Sequence, residues 1–171
     1  MPLRRALILL PLALVSAWFA WRWADLPERF ATSFDFAGQP RDSMGRGAYA
    51  GLALGMLAGL AVLFGGLATW IPAVPAAWVN LPEKDYWLAP ERRQATLERL
   101  STFLDFAGLA TGVALSTLFV AIGEHAIAGS AALSSAWLAG PALVVLLVGG
   151  GVVWLDAPFR ARRRALRART R

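Results

Sequence analysis

Four long apolar runs, separated by segments that carry nearly all the charge, set the layout of this chain. They fall near residues 6–23, 48–71, 100–123 and 136–155. A hydrocarbon core of about 30 Å takes about 20 helical residues to cross, and each run approaches or reaches that length. The first run also has the layout of a secretory signal, with Arg4 and Arg5 before it and Val15, Ser16 and Ala17 as a small-residue cleavage site. With Met1 retained, it is expected to remain as a first span. The predicted fold is all-α: a four-helix transmembrane domain over residues 1–158, with an outer loop at 24–47 and an inner interfacial loop at 72–99. Residues 159–171 follow as a basic tail.

Composition agrees with the pattern. Hydrophobic residues make up 57% and charged residues 16%. Soluble domains have roughly 45–50% and roughly 25%. Mean hydropathy is +0.52. Eight Trp and nine Phe exclude a disordered chain. The absence of cysteine, with a single histidine, removes disulfides, thiolate metal sites, thiol nucleophiles and multi-histidine centres. No cofactor, no metal and no enzymatic activity are expected.

Charge adds orientation. Thirteen of the 17 Lys and Arg fall in the termini and in the segment between the second and third runs, and only Arg22, Arg29, Arg41 and Arg46 fall on the other side. Basic residues near span ends stay cytoplasmic, so both termini are expected inside. Tryptophans agree: Trp18, Trp21, Trp23 and Trp137 mark outer ends, Trp70 and Trp154 inner ends, and Trp78 and Trp87 the inner loop.

Glycine spacing predicts packing. Gly47, Gly51, Gly55 and Gly59 recur every four residues in the second run, and Gly108, Gly112 and Ser116 do so in the third. Small residues let membrane helices approach closely, so the two stripes are expected to pack within one chain, a homo-oligomer being the alternative. Gly149, Gly150 and Gly151 after Pro141 suggest a kink or unwound turn in the fourth run.

Candidate chemistry lies in the loops. In the outer loop, Asp35, Gly38 and Pro40 are turn residues, and Phe30, Phe34 and Phe36 alternate as a short strand would. Phe34, Asp35, Gly38, Pro40 and Arg46 form a candidate partner-binding set, with Arg46 expected to pair with Asp35 or Asp42. In the inner loop, Pro90 and Glu91 suit the start of a helix that Gln94, Leu97 and Leu100 carry into the third span. Asn80, Pro82, Lys84, Tyr86, Trp87, Arg92 and Arg93 read as an interfacial elbow, aromatic rings at the headgroups and cations at lipid phosphates, or else as a partner motif.

The stretch Leu26-Pro27-Glu28-Arg29-Phe30-Ala31-Thr32-Ser33-Phe34-Asp35-Phe36-Ala37-Gly38-Gln39-Pro40, ending in Arg46, resembles the uncharacterised N-terminal domain of SdpI-like bacterial immunity proteins. The small membrane proteins that carry this domain alone share it. The inner segment from Asn80 to Arg93 is similar to a second stretch of those stand-alone members. The resemblance covers residues 1 to about 120 and implies an immunity or signalling component. Members often have His where this chain has Ser33.

Asp105 lies inside the third run, where a carboxylate is costly; it is expected to reach the inner interface, to pair with Arg99 or Arg92, or to serve a transported ion or solute. Glu124, His125, Ser130, Ser134 and Ser135 contain the residue types of a hydrolytic triad. Adjacent helical residues point about 100° apart, which sets such a site aside. Seven Arg among the last twelve residues predict attraction to anionic lipid headgroups, with nucleic acid as the lesser alternative. The leading expectation is therefore a non-enzymatic membrane protein that recognises a protein partner in or at the membrane, as an accessory subunit or SdpI-like component.

Overall fold

The structure, a computed structural model, describes residues 6–35, 37–81, 83–129 and 139–169. A 3-10 turn, Leu7–Leu9, leads into α1 (Leu10–Arg22), and a hairpin of β1 (Arg29–Phe34) and β2 (Pro40–Gly45) follows. Next come α2 (Arg46–Trp70), two 3-10 turns (Ile71–Ala73 and Ala76–Trp78), a single-turn α3 (Lys84–Trp87), α4 (Pro90–Ile127) and α5 (Ala139–Arg169). The fold is mostly helical, and its departure from all-α is the hairpin. Prolines set several boundaries. Pro11 and Pro90 occupy first turns, where a missing N–H costs nothing, and Pro72 tightens the end of α2 into a 3-10 turn.

Three helical segments are long and apolar enough to cross a membrane: Arg46–Ala73, Pro90–Ile127 and Ala142–Arg162. Leu7–Arg22 is apolar but shorter. At the rise of an α-helix it spans only about 24 Å. Half of the α4 span is buried inside the protein, against 22% for α2 and 6% for α5, so α4 is the hub.

Contacts fix the directions. Tyr49 meets Phe119 and Ala68 meets Ser101, so α2 runs antiparallel to α4. Pro11 faces Gly112 and Trp18 faces Gly123, so α1 runs parallel to it. Gly151 lies on Phe103 and Phe106, and Trp154 on Arg99, so α5 runs antiparallel again. Among α1, α2, α4 and α5, each therefore reverses the one before it.

The main core lies at the hairpin end. Val15, Phe19, Leu26, Phe30, Tyr49, Ala53 and Phe119 are buried together. Tyr49 is its centre. Only 1% exposed, it meets Phe19, Phe30 and Phe119 edge-on at 6.0, 5.0 and 5.9 Å, and its hydroxyl donates to the Phe119 carbonyl at 2.7 Å. At the opposite end, Val74, Val79 and Leu97 form a smaller core that folds the inner loop under α4.

Glycine packing follows the expectation on α4 and departs from it on α2. A Cβ on Gly108 would stand 2.6 Å from Phe64 Cβ, one on Gly112 3.0 Å from Pro11, and one on Gly123 2.1 Å from the Trp18 ring. A Cβ on Gly47, Gly51, Gly55 or Gly59 would meet nothing within 4 Å, and all four are exposed. Tyr49, Ala53, Leu57 and Ala61 also recur every four residues and are buried. They are offset from the glycines by two positions, which is about 200° around a helix. That face fits α4 because it offers both a ring and small residues, which leaves the glycines on the far side. No unwound turn occurs at Gly149–Gly151: α5 stays helical there, with Gly151 seated against Phe103 and Phe106.

Candidate functional site

The hairpin is built to be held still. Its register pairs Arg29 with Gly45, Phe30 with Met44, and Phe34 with Pro40, with irregularities on either side of Ser33. Successive side chains of a strand point to opposite faces, so β1 turns Phe30 into the core. Phe34 is half-buried and meets the His125 ring edge-on at 5.6 Å. Phe36 lies outside the described residues. Asp35 shapes the tip: its Oδ1 accepts from the amides of Ala37 and Gln39, both at 2.9 Å, and its own amide donates to the Gln39 carbonyl at 2.9 Å. Gly38 has a φ of 78°. Glycine adopts that conformation without steric cost. Residues 40–43 of β2 are all exposed.

The structure brings Phe34, Asp35, Gly38 and Pro40 together at the tip and leaves Arg46 at the base. A strand of six residues separates Asp35 from Arg46 by roughly 17–20 Å, and Asp42, mid-strand, accepts from the Ser43 amide at 2.7 Å, so the expected pairing of Arg46 with Asp35 or Asp42 is corrected. Arg46 Nη1 instead donates to the carbonyls of Trp23 and Leu26, both at 3.3 Å, with its guanidinium 5.1 Å from the Trp23 ring centroid. It fastens the α1–β1 connection to the start of α2.

A polar clamp that the sequence did not reveal closes the same end. Arg22 Nε and Nη2 donate to the two Glu124 carboxylate oxygens at 3.1 and 3.0 Å, and Trp18 Nε1 donates to Oε1 at 2.8 Å. Arg22 Nη1 also reaches Asp25 at 2.6 Å. A guanidinium matches a carboxylate two bonds at a time, so this pair fixes α1 against α4 in rotation as well as distance. The residues were visible, but their meeting depended on α1 lying parallel to α4. His125 turns toward Phe34 while Glu124 faces α1, and Ser130, Ser134 and Ser135 lie outside the described residues.

The inner elbow binds its own chain. Arg92 Nε donates to the Tyr86 carbonyl at 2.9 Å, Arg93 Nη2 to that of Val74 at 2.8 Å and Lys84 Nζ to that of Ala77 at 3.2 Å. The turns leave carbonyls without helical partners, and one donor of each cation satisfies one of them. Arg92 and Arg162 both lie against the Tyr86 ring, 3.9 and 3.1 Å from its centroid. Trp87 meets Phe159 edge-on at 4.8 Å, and Glu83 forms an ion pair with Arg162. Tyr86, Trp87 and Glu83 thereby hold the basic end of α5. Asn80 is exposed, and Pro82 lies outside the described residues.

Asp105 is buried inside the protein, 3% exposed. Arg99 braces α5. Pro158 lacks an N–H, which leaves the Trp154 carbonyl without its helical donor. Arg99 Nη2 of α4 donates to that carbonyl, with its guanidinium 3.8 Å from the Trp154 ring centroid. Among the described residues, no group of three or more His, Asp or Glu is placed to hold a metal ion.

Comparison with known proteins finds no matching protein-family model, no matching curated protein and no matching solved structure.

Proposed function

We propose that this chain is a non-enzymatic integral membrane protein that recognises a protein partner through its hairpin, as an accessory subunit or an SdpI-like immunity or signalling component. One observation carries the reading. The hairpin is pinned from beneath by Phe30, Phe34 and Arg46, while residues 39–43 stand exposed on a turn fixed by Asp35 and Gly38. A rigid support under an exposed polar loop suits recognition, because little ordering entropy is lost on contact. The resemblance of residues 26–46 to the SdpI-like domain points the same way.

Gln39→Ala combined with Arg41→Ala is expected to reduce the partner recovered by crosslinking in native membranes about tenfold, with the thermal midpoint unchanged. These residues test recognition more cleanly than Phe34, whose ring packs on His125. Undiminished recovery overturns the reading. A second reading, a small ion or solute carrier, is favoured by the burial of Asp105 inside α4. It takes over if Asp105→Asn alone abolishes function.

The proposed arrangement in the membrane is four spans with both termini cytoplasmic. It rests on the alternation of helix direction around α4 and on the asymmetry of basic residues. Since the chain has no cysteine, single cysteines report sides directly. Gln39→Cys is expected to react with an impermeant maleimide in intact cells, and Ala95→Cys and Ala168→Cys only after lysis. Reaction of Ala95→Cys in intact cells rejects the arrangement.

A further inference from the structure

Between α4 and α5 runs an apolar slot that the hairpin reading leaves unused. Its main cavity, about 440 Å³, is lined by Phe103, Phe106, Leu146, Leu147, Gly150 and Trp154. A second cavity of about 250 Å³ shares Phe106 and Leu147 and reaches Thr117 and Leu143. Together the two cavities follow α4 from Thr102 to Thr117. That length of helix is about 22 Å, more than the roughly 15 Å of hydrocarbon in one leaflet. Gly150 keeps the slot open, for a Cβ there would meet nothing within 4 Å.

The two ends of the slot differ in charge. At the Trp154 end stands Arg99, with its guanidinium against the indole. One nitrogen donates to the Trp154 carbonyl, and Nε is buried without a hydrogen-bond partner among the described residues. Of the acids closest in sequence to Arg99 on α4 and to Trp154 on α5, Glu98 accepts from Gln94 at 2.7 Å, and Asp156 pairs with Arg160 at 3.0 Å. A Trp–Arg pair at the end of an apolar slot marks headgroup depth in a bilayer.

We infer that the slot holds one acyl chain of an anionic phospholipid, with its phosphate at Arg99. The occupant follows from complementarity: the walls are apolar apart from Thr102 and Thr117, and the mouth offers a cation whose charge and guanidinium tip suit phosphate oxygens. This explains the Gly149–Gly151 run, which neither breaks the helix nor packs wholly against the protein. The site is separate from the hairpin and does not depend on partner recognition.

The test uses the full chain in phosphatidylcholine vesicles with a trace of phosphatidylglycerol carrying a mid-chain diazirine, and maps the labelled peptides after illumination. Labelling is expected to concentrate on residues 102–117 and 143–154, and the same probe with a choline headgroup is expected to label them about fivefold less. Gly150→Leu fills the slot and is expected to remove this labelling, whereas Gly149→Leu, outside the lining, keeps it. Arg99→Gln is expected to equalise the two probes without abolishing labelling by either. Since Arg99 also braces α5, Gly150→Leu provides the check that leaves that brace intact. Labelling spread evenly over the exposed face of α2, unchanged labelling in Gly150→Leu, or retained headgroup preference in Arg99→Gln would each overturn the inference.

Discussion

Gly108→Leu is expected to destabilise the protein by about 3 kcal/mol or more, at the upper end of overpacking costs, while Gly55→Leu leaves stability unchanged or slightly raised. The difference lies in what each side chain meets. At Gly108 even a Cβ falls 2.6 Å from Phe64 Cβ, an atom next to the α2 backbone, so rotating the ring gives no relief and the helices must separate. At Gly55 nothing lies within 4 Å. Thermal unfolding in mild detergent measures both, and a cost of this size corresponds to a fall of about 6–12 °C for a chain of this length. If both variants melt with the parent, α2 and α4 do not meet at Gly108. If Gly55→Leu is the damaging one, the glycine face of α2 is the packed face after all.

Tyr49→Ala is expected to cost about 3–5 kcal/mol, the range for emptying an aromatic site in a core. Its effect should also be regional. Tyr49 touches Phe19 of α1, Phe30 of β1 and Phe119 of α4, so its ring joins three elements to its own helix. Without it, the seat of Phe30 is lost. Backbone amides of Arg29–Phe34 should then exchange hydrogen far faster, while those of the elbow end, packed around Leu97, keep their protection. Tyr49→Phe keeps the ring and removes only the hydroxyl that donates to the Phe119 carbonyl. Loss of that one hydrogen bond is expected to cost about 1–2 kcal/mol. Equal losses for the two variants would mean that the hydrogen bond, and not the ring, organises this end.

The helical segments were legible in the sequence because length and hydropathy are local properties. The runs at 48–71, 100–123 and 136–155 lie within or overlap α2, α4 and α5, and Pro90 marks the start of α4. Asp35, Gly38 and alternating phenylalanines likewise announced a turn and a strand, since turn chemistry and the two-residue period are written in neighbouring residues.

Which face of a helix is buried is not local. On α2, Gly47 to Gly59 and Tyr49 to Ala61 offer two stripes of equal period, and only the shape of α4 decides between them, because Phe64 needs the gap at Gly108 and Tyr49 needs the Phe119 carbonyl. Polar partners obey the same limit. Arg46 has carboxylates and carbonyls to choose from within its own loop, and the hairpin register, by placing Asp35 at the far end, leaves it the carbonyls of Trp23 and Leu26. Glu124 found Arg22 across 102 residues because α1 lies parallel to α4, and Arg99 found the carbonyl released by Pro158 because α5 lies antiparallel. Sequence determined which segments are apolar, where they turn and where charge is excluded, since those depend on transfer of each residue from water. Tertiary structure alone decided which small residues touch and which charges meet, since close packing and hydrogen-bond geometry exist only once two distant surfaces are opposed.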